Sequence, residues 1–308
     1  MSQYKIIINP AAGRGACGRA VSKVESILKK YGLDFDLAHT EHPWHAAELA
    51  REAAILGYDI VVAVGGDGTV NEVLNGLMQA RDTHNDACAM GVLCIGQGND
   101  FAQGMGIPLD LEMGCRALSQ DHRRKIDIGK VNGDPCPEGR YFGNGIGIGF
   151  DAAANLEALK ITWLHGFPAY LVAVLKTIFL YYQAPFVAIE YDEQTIELLA
   201  LLISVMNGRC MGGGFLMAPE SKSDDGLFDL CIVREVSRPR IFSLLPHFLR
   251  GTQATQSPIS TGRARRVVVT ATEGTLPVHL DGEPLCADGR RLEIELLPRQ
   301  IEIIYQPH

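Results

Sequence analysis

Apolar and polar residues follow two different periods along the first part of the chain. Short apolar runs typical of buried strands occur at 4–8, 35–39, 59–64 and 89–95. Between them, apolar positions recur every three or four residues, which predicts amphipathic helices over 18–31, 43–56 and 71–79. Strands that are separated by helices imply a parallel sheet with right-handed crossovers.

The pattern changes after about residue 126. Short strand-like segments now dominate, and only two helical patterns interrupt them, at about 167–183 and about 238–250. Many strands with few helices indicate an antiparallel sandwich. The predicted strands are 126–131, 141–149, 187–191, 198–207, 227–233, 266–271, 277–280, 291–297 and 301–305.

We therefore predict an α/β chain of two domains, and 308 residues are enough for two hydrophobic cores. The first is a three-layer, doubly wound domain with a parallel sheet over residues 1–125. The tail at about 298–308 is a candidate addition to it. The second is a β-sandwich over residues 126–297.

Charge and hydropathy narrow the choice of partners. The formal net charge of −8 argues against a general nucleic-acid binder, which needs a strong basic excess. The most apolar long stretch, 167–182, is interrupted by Lys176 and is too short for a membrane-spanning helix. The N-terminus reads as a first strand rather than a secretion signal. We expect a cytoplasmic protein without a transmembrane span.

The most specific segment follows the predicted strand 59–64. The chain runs there from Val64 into Gly65-Gly66-Asp67-Gly68-Thr69-Val70-Asn71-Glu72, and a predicted helix follows. Glycines let backbone amides approach an anion closely, and a helix N-terminus adds a partial positive charge. Such a turn suits the phosphates of a nucleotide, and Asp67 falls at the strand end where α/β enzymes bind ligands. The alternative is a glycine turn in which Asp67 only caps the helix.

Two further glycine-containing loops follow strands of the same predicted sheet. One is Asn9-Pro10-Ala11-Ala12-Gly13-Arg14-Gly15, and the other is Gly96-Gln97-Gly98-Asn99-Asp100-Phe101-Ala102. Either loop alone is weak evidence for a site, since glycine loops after strands are common. Three of them at one sheet edge predict a composite nucleotide site. The site is not a Walker A loop, because GxxxxGK[ST] does not occur.

Taken together, these motifs resemble the diacylglycerol kinase and sphingosine kinase catalytic superfamily, and most closely its bacterial lipid kinases. The resemblance runs nearly end to end. It continues in the second half with 147–152, Asn207-Gly208, 212–214, 224–229 and 281–283. It implies a nucleotide-binding α/β domain, a β-sandwich, and transfer of the γ-phosphate of ATP to the hydroxyl of a membrane lipid. Diacylglycerol, which would give phosphatidic acid, is the expected substrate.

The resemblance also implies which residues contact the nucleotide. Ala12 and Gln97 depart from the usual Ser and Thr of the family. Thr40 has a second interpretation, as a hydroxyl that caps a helix. The implied nucleotide-binding residues are Asn9, Gly13, Thr40, Gly65, Gly66, Asp67, Gly68, Thr69, Val70, Asn71, Gln97, Asn99 and Asp100.

By the same resemblance, Glu283 is the general base, and Asp67 is the second catalytic residue. The alternative for Glu283 is a solvated carboxylate on a hairpin. Asp281 has two interpretations, as a residue of a structural turn and as a residue of the site. Mg²⁺ is implied at Asp225 with the carbonyls of Lys222 and Leu227, and oxygen ligands suit this ion. The alternative there is an Asx-type turn. A separate Mg²⁺ is expected to accompany ATP.

The lipid must be reached at a bilayer. The helix over 167–182 either packs on the sandwich or lines an acyl-chain cleft. The segment 240–250 mixes apolar and basic residues and suits an anionic interface, as do Arg263, Arg265 and Arg266. The group His39, His42 and His45 reads as a solvated surface rather than a metal site. We expect a lipid substrate at the membrane surface and peripheral membrane association.

Other functions remain open at this point. An NAD kinase also uses a GGDGT loop, and an inactive lipid- or nucleotide-binding regulator would explain the changes at Ala12 and Gln97. Neither a homodimer nor the identity of the lipid alcohol is decided by the sequence.

Overall fold

The computed structural model describes residues 2–84, 88–96, 98–134, 136–161, 163–164, 166–180 and 184–307. The chain divides into two compact units. Unit 1 comprises Met1–Asp127 and Pro298–His308, and unit 2 comprises Ile128–Leu297. The division at residue 127 lies two residues after the predicted boundary, and the C-terminal tail belongs to unit 1.

Unit 1 is built on a parallel sheet. Its strands are β1 (Gln3–Ile8), β2 (Asp34–His39), β3 (Ile60–Gly65), β4 (Ala89–Cys94) and the end of β15 (Arg291–Ile304). They lie in the order β2-β1-β3-β4-β15, and all neighbouring strands run parallel. Every residue of β3 and β4 is buried, as expected for central strands covered on both faces.

Two pairs of helices pack in unit 1. The helices are α1 (Ala12–Lys30), α2 (His45–Ile55), α3 (Asp67–His84), α4 (Asp100–Gly104) and α5 (Leu111–Gln120). Helix α1 packs on α5, and α2 packs on α3. Alternate strand residues such as Ile6, Val62 and Val64 form one core with α1 and α5, because successive side chains of a strand point to opposite faces. The predicted α/β class with a parallel sheet is confirmed.

The helices of unit 1 differ from the prediction in one start and in two additional helices. Helix α3 begins at Asp67 and not at residue 71, so only Gly66 separates it from β3. Helices α4 and α5 were not predicted. In α1, Gly13, Arg14 and Gly15 have φ of 58°, 55° and 81°, so the regular helix begins after them, close to the predicted start at residue 18.

Unit 2 is a sandwich of antiparallel strands. The strands new to it are β5 (Arg123–Gly133), β6 (Cys136–Phe142), β7 (Gly145–Gly149), β8 (Phe186–Tyr191), β9 (Gln194–Met206), β10 (Phe228–Arg234), β11 (Ile259–Ala264), β12 (Arg266–Glu273), β13 (Leu276–Leu280) and β14 (Glu283–Gly289). One sheet has the order β9-β8-β12-β15-β5-β6, and the other has the order β14-β13-β7-β9-β10-β11.

The long strand β9 belongs to both sheets. Its first half pairs with β8, and its second half pairs with β7 and β10. Buried apolar residues from both sheets, including Phe142, Val205 and Phe228, form the core of the sandwich. Helices α6 (Phe150–Leu159), α7 (Gly166–Leu180) and α8 (Arg238–Arg250) form a second core with residues of β9 and β10.

Several predicted elements of unit 2 were wrong in detail. The single strand predicted at 141–149 is two strands, broken at Gly143 and Asn144. The two strands predicted at 291–297 and 301–305 are one strand, β15, with Arg299 at φ 52° inside it. Elements α6, β11 and β14 were not predicted. Helix α7 ends at Leu180, and the last three residues of its predicted span lie outside the described residues.

Among the described residues, no helix is both long enough and apolar enough to cross a membrane.

Candidate active site

The turn between β3 and α3 is held to the loop that follows β4. Asp67 is the first residue of α3, and its Oδ1 accepts a hydrogen bond of 3.1 Å from the backbone N–H of Phe101. Phe101 lies in the first turn of α4. One carboxylate therefore joins the second and third of the predicted phosphate loops.

Glycine is required where these two loops meet. A Cβ atom on Gly96 would lie 2.5 Å from the Cα of Gly66, which real structures do not tolerate. A Cβ atom on Gly98 would lie 2.8 Å from Oδ2 of Asp67. The glycines therefore allow backbone-to-backbone contact between the loops and leave room for the carboxylate.

The loop after β1 joins the same cluster. Nδ2 of Asn9 donates a hydrogen bond of 3.0 Å to Oγ1 of Thr69, and Oδ1 of Asn9 accepts the N–H of Ala11 at 3.0 Å. Gly13 approaches the carbonyl oxygen of Ile95, since a Cβ atom on it would lie 3.1 Å away. The structure thus brings together the three loops that the sequence placed at one sheet edge.

The chemistry of this cluster suits a phosphate ligand. The N-termini of α3 and α4 lie at the loops, and helix N-termini present unpaired backbone N–H groups with a partial positive charge. Asp100 is in the first turn of α4 and is buried. A carboxylate such as that of Asp67 suits the cation that accompanies nucleotide phosphates.

Four further residues were predicted to bind the nucleotide: Thr40, Val70, Asn71 and Gln97. Thr40 lies directly after β2 and is half-buried, and its N–H donates to the carbonyl of Ile8. The N-cap of α2 is Trp44, so the helix-capping alternative for Thr40 is wrong. Val70 and Asn71 are buried in α3. Gln97 lies outside the described residues.

Glu72, the last residue of the glycine-rich motif, has a structural contact. Its Oε2 accepts a hydrogen bond of 3.1 Å from the N–H of Ala46. Ala46 is in the first turn of α2, where backbone N–H groups lack partners within the helix. Glu72 therefore caps α2 from α3 and fixes the two helices to each other.

In unit 2, Asp281 and Gly282 form the tight turn of the hairpin β13–β14. Leu280 pairs with Glu283, and the two turn residues have φ of 47° and 85°. Positive φ at both central positions is typical of a type I′ hairpin turn, which favours the Asp-Gly sequence.

The carboxylate of Asp281 is a structural anchor. It accepts three hydrogen bonds of 2.9 Å each from the N–H groups of Gly143, Asn144 and Gly145. Its side chain is buried, so each of these bonds satisfies a backbone group that has little access to water. Of the two interpretations of Asp281, this geometry supports the structural one.

Glu283 follows this turn as the first residue of β14 and is partly exposed. The second residue of the turn is also held in place, because Nδ2 of Asn155 donates a hydrogen bond of 2.7 Å to the carbonyl of Gly282. Glu283 is therefore a carboxylate on a rigid hairpin, as a positioned base requires.

The predicted magnesium residue Asp225 forms an ion pair with Arg263. Oδ2 of Asp225 contacts Nη2 of Arg263, and its Oδ1 accepts the N–H of Leu227 at 3.2 Å, as in an Asx-type turn. Arg263 also lies 3.5 Å from Oδ1 of Asp229. Burial raises the pKa of Asp229 despite the nearby Arg263 guanidinium.

The carboxylate of Asp225 and the carbonyls of Lys222 and Leu227 are oxygen donors that suit Mg²⁺. A cation at Asp225 would have to displace Arg263.

Unit 2 contains a buried polar group that was not predicted from the sequence. Oδ2 of Asp151 lies 3.0 Å from Nε2 of His279, and the hydroxyl of Tyr170 donates to Oδ1. Asp151 and His279 are buried. Gly147 makes room for the pair, because a Cβ atom on it would lie 2.2 Å from Nε2 of His279. Two signals were available: an aspartate directly after the run 145–150, and a histidine in an apolar strand.

The surroundings of Asp151 favour its charged form. Burial opposes ionisation, but the charge of the His279 ring and the hydrogen bonds from His279 and Tyr170 outweigh it. They hold the pKa of Asp151 below its usual value. Nδ1 of His279 is buried and has no hydrogen-bond partner among the described residues.

An apolar cavity adjoins Asp151. Its volume is about 60 Å³. The walls come from α7, β9 and α8, and Asp151 is the one charged residue among the lining residues described. The lining includes Asp151, Tyr170, Val174, Leu244, Leu245 and Phe248. The expectation that the helix over 167–182 packs on the sandwich is confirmed, and α7 also lines this cavity.

The histidine group of unit 1 is arranged by stacking. The rings of His42 and His45 are 4.4 Å apart and nearly parallel, and ligand atoms of His42, His45 and Glu48 lie within 4.8 Å of one another. His39 is not part of this group. Nδ1 of His45 already accepts the N–H of Glu41 at 3.0 Å. Because stacking and hydrogen bonds explain the group, we assign no metal to it.

The Asp151–His279 pair gives a prediction about stability. Asp151→Asn should destabilise the protein by about 3 kcal/mol at pH 7, because it leaves a buried pair incomplete. The lowered pKa means that the stabilisation is complete above the ordinary Asp pKa of about 4 and is lost as the pH falls further. Urea unfolding at pH 7 and at pH 3 measures this. An equal difference from wild type at both pH values would contradict it, and exposed Asp288→Asn is the control.

Comparison with known proteins shows which families and solved structures this chain is similar to. The family model for the diacylglycerol kinase catalytic domain matches residues 3–131. The model for the YegS C-terminal NAD kinase beta sandwich-like domain matches residues 144–305.

Among solved structures, the chain is similar to a diacylglycerol kinase from Bacillus anthracis str. Sterne, with a TM-score of 0.73 and 24% sequence identity. The match covers 99% of this chain and 97% of that one. An NAD kinase from Archaeoglobus fulgidus in complex with ATP has a TM-score of 0.51 at 14% identity, covering 98% and 93%. These two structures support the fold.

Sequence relatives define the family. The chain is 31% identical to "Diacylglycerol kinase" of Bacillus subtilis (strain 168), covering 92% of this chain and 90% of that protein. It is 32% identical to "Probable lipid kinase YegS-like" of Pseudomonas aeruginosa PAO1, covering 94% of this chain and 91% of that protein. The two matching family models, these relatives and the three joined glycine loops lead to one conclusion: the chain belongs to the diacylglycerol kinase family of lipid kinases, together with the YegS-like lipid kinases.

Proposed function

We propose that this protein transfers the γ-phosphate of ATP to the hydroxyl of a membrane lipid, and that diacylglycerol is the substrate. The observation that carries the proposal is the joining of the three glycine loops through Asp67, Asn9 and the Gly66–Gly96 contact. Phosphoryl transfer depends mainly on positioning and charge neutralisation, and such loops supply both.

The loops of unit 1 have the nucleotide as their proposed ligand. We assign the phosphates to the glycine loops that lead into α3 and α4, and the rest of the nucleotide to Asn9, Gly13 and Thr40. We assign to Asp67 the orientation of the Mg²⁺ that accompanies ATP. A bound Mg²⁺ supplies charge neutralisation on the β- and γ-phosphates.

Unit 2 has the lipid hydroxyl as its proposed ligand. We assign to Glu283 the role of general base, which accepts the proton of the hydroxyl as the phosphate is transferred. Its place on a rigid hairpin supports this role, since both ends of the turn are hydrogen-bonded to other elements. Asp281 supports the hairpin and is not assigned a chemical step.

The cavity beside Asp151 is the proposed entrance for an acyl chain. Its lining is apolar apart from one buried polar group, which suits a lipid with a polar end. Ligand pockets usually measure roughly 300–1,000 Å³, so a cavity of about 60 Å³ holds only part of a chain. Helices α7 and α8, which line it, have to separate to admit more.

The two alternative functions are less well supported. The NAD kinase likeness is one of fold, at 14% identity, and an apolar cavity has no role for a dinucleotide substrate. An inactive regulator was suggested by Ala12 and Gln97, but Asp67, Glu283 and Asp225 are all present. A lipid kinase at the membrane surface remains the proposal that the described geometry favours.

The proposal predicts the effect of removing the base. Glu283→Gln keeps the size of the side chain but cannot accept a proton, so lipid phosphorylation should fall by about 10²–10⁴-fold. The measurement uses radiolabelled ATP with diacylglycerol in mixed micelles and Mg²⁺, with products identified by mass spectrometry. Exposed Glu273→Gln is the matched control and should retain activity. Wild type that phosphorylates NAD but no lipid would contradict the proposal.

The ion pair at Asp225 gives a prediction about the metal. If Mg²⁺ binds at Asp225, Arg263 competes with it, so Arg263→Gln should tighten Mg²⁺ binding. An exposed ion pair is worth up to about 1 kcal/mol, which corresponds to about fivefold in affinity. Calorimetric titration of the nucleotide-free protein with Mg²⁺ measures this, with Arg266→Gln as the control and Asp225→Asn as the variant without a site. Equal affinity in wild type, Arg263→Gln and Asp225→Asn would exclude a site there.

A further inference from the structure

The outward face of α8 carries large apolar residues. Helix α8 buries Ile241, Leu244 and Phe248 in the core of unit 2. The residues it exposes on the other side are Arg238, Pro239, Phe242, Ser243, Pro246, Leu249 and Arg250. A surface helix normally presents polar residues to solvent, and a helix that is apolar on both sides normally has a partner on each.

Helix α7 extends this face. Phe179 and Leu180 are 62% and 67% exposed, which is high for large apolar side chains at a helix end. The ring of Phe179 lies 5.9 Å from the ring of Phe242. Because Phe242 and Leu249 are seven residues apart on one helix, they lie on the same side of it. We call Phe179, Leu180, Phe242 and Leu249 the apolar ridge.

The charged residues of helix α8 are arginines. Helix α8 contains Arg238, Arg240, His247 and Arg250 and no acidic residue. Arg238 and Arg250 stand at the two ends of its outward face, so basic groups flank the apolar residues. Glu235 lies before the helix begins. Aromatic and aliphatic side chains flanked by arginine are the pattern of helices that lie in the interface of an anionic bilayer.

The same helix lines the apolar cavity from within. Ile241, Leu244, Leu245 and Phe248 face the cavity beside Asp151, whereas Phe242 and Leu249 face outward. One helix thus separates the cavity from whatever covers the ridge. A lipid that left a bilayer at the ridge would have only the thickness of α8 to pass.

We propose that the apolar ridge, with Arg238 and Arg250, docks the protein on the surface of an anionic phospholipid bilayer. The inference rests on the proposed function, because it names how a lipid reaches the cavity. Phe242, Leu249, Phe179 and Leu180 enter the acyl region at its boundary, and the arginines contact the phosphates of the lipid headgroups. Neither Phe242 nor Leu249 lines the cavity, so docking can be changed without changing the cavity wall.

The test measures binding to vesicles by sedimentation. Vesicles of phosphatidylcholine alone are compared with vesicles that contain 30% phosphatidylglycerol. The double variant Phe242→Ser/Leu249→Ser should lower partitioning onto the anionic vesicles by at least tenfold. Arg238→Gln/Arg250→Gln should lower it by about 25-fold at low salt, or about fivefold per arginine near an anionic surface, with no loss on neutral vesicles.

A matched control separates docking from general hydrophobicity. Leu56, at the end of α2 in unit 1, is 69% exposed, and Leu56→Ser should bind vesicles like wild type. Unchanged circular dichroism and thermal unfolding of the double variant exclude misfolding. Wild-type binding by the double variant would overturn the proposal. So would a wild-type dimer in solution that the double variant loses, because the ridge would then bind a second copy.

A soluble substrate separates this proposal from the proposed function. Dihexanoylglycerol at monomeric concentrations needs no bilayer, so the double variant should phosphorylate it at the wild-type rate. Long-chain diacylglycerol in anionic vesicles should react at least tenfold more slowly with the variant. Wild type that binds vesicles through the ridge but phosphorylates neither lipid would refute the kinase proposal and leave docking intact. Loss of the soluble reaction in the folded variant would refute a role limited to docking.

Discussion

The contact on which the candidate site depends is the close approach of two backbones, at Gly66 and Gly96. No side chain fits between them, because a Cβ atom on Gly96 would lie 2.5 Å from the Cα of Gly66. This approach lets Asp67 reach the N–H of Phe101 and places the starts of α3 and α4 at one point. The parallel sheet is what aligns these loops, since the carboxyl ends of neighbouring parallel strands meet at one edge. The glycine content of the motifs is therefore explained by packing as well as by the ligand.

Unit 2 is organised around two buried carboxylates with different roles. Asp281 accepts three backbone N–H groups and so fixes the chain between β6 and β7 to the hairpin that carries Glu283. Asp151 is compensated by His279 and Tyr170 at the edge of an apolar cavity. Buried charges are costly unless they are paired or hydrogen-bonded. The carboxylate of Asp281 is occupied by hydrogen bonds that hold the fold together. Asp151 borders a cavity that a ligand could fill, so of these two carboxylates Asp151 is the candidate for ligand binding.

Much of this could be predicted from the sequence, where the signal was local. The strands and helices of unit 1 have long periodic patterns, and the phosphate loops are marked by glycine and polar residues directly after strands. Helix α6 was missed because its sequence, FDAAANLEAL, follows β7 without a polar boundary. Strand β14 was missed because Pro284 and Asp288 interrupt its pattern. The Asp151–His279 pair joins residues 128 positions apart, and no spacing rule reveals such a contact.

The central claim is that the three loops of unit 1 form a single nucleotide site. Hydrogen–deuterium exchange followed by mass spectrometry, with and without Mg²⁺ and a non-hydrolysable ATP analogue, tests it most directly. If the loops form one site, exchange should slow in the peptides covering 9–15, 65–72 and 96–102 at the same ligand concentration, with no change in the peptide covering α8. Protection confined to one of these loops, or found only elsewhere in the chain, would contradict it.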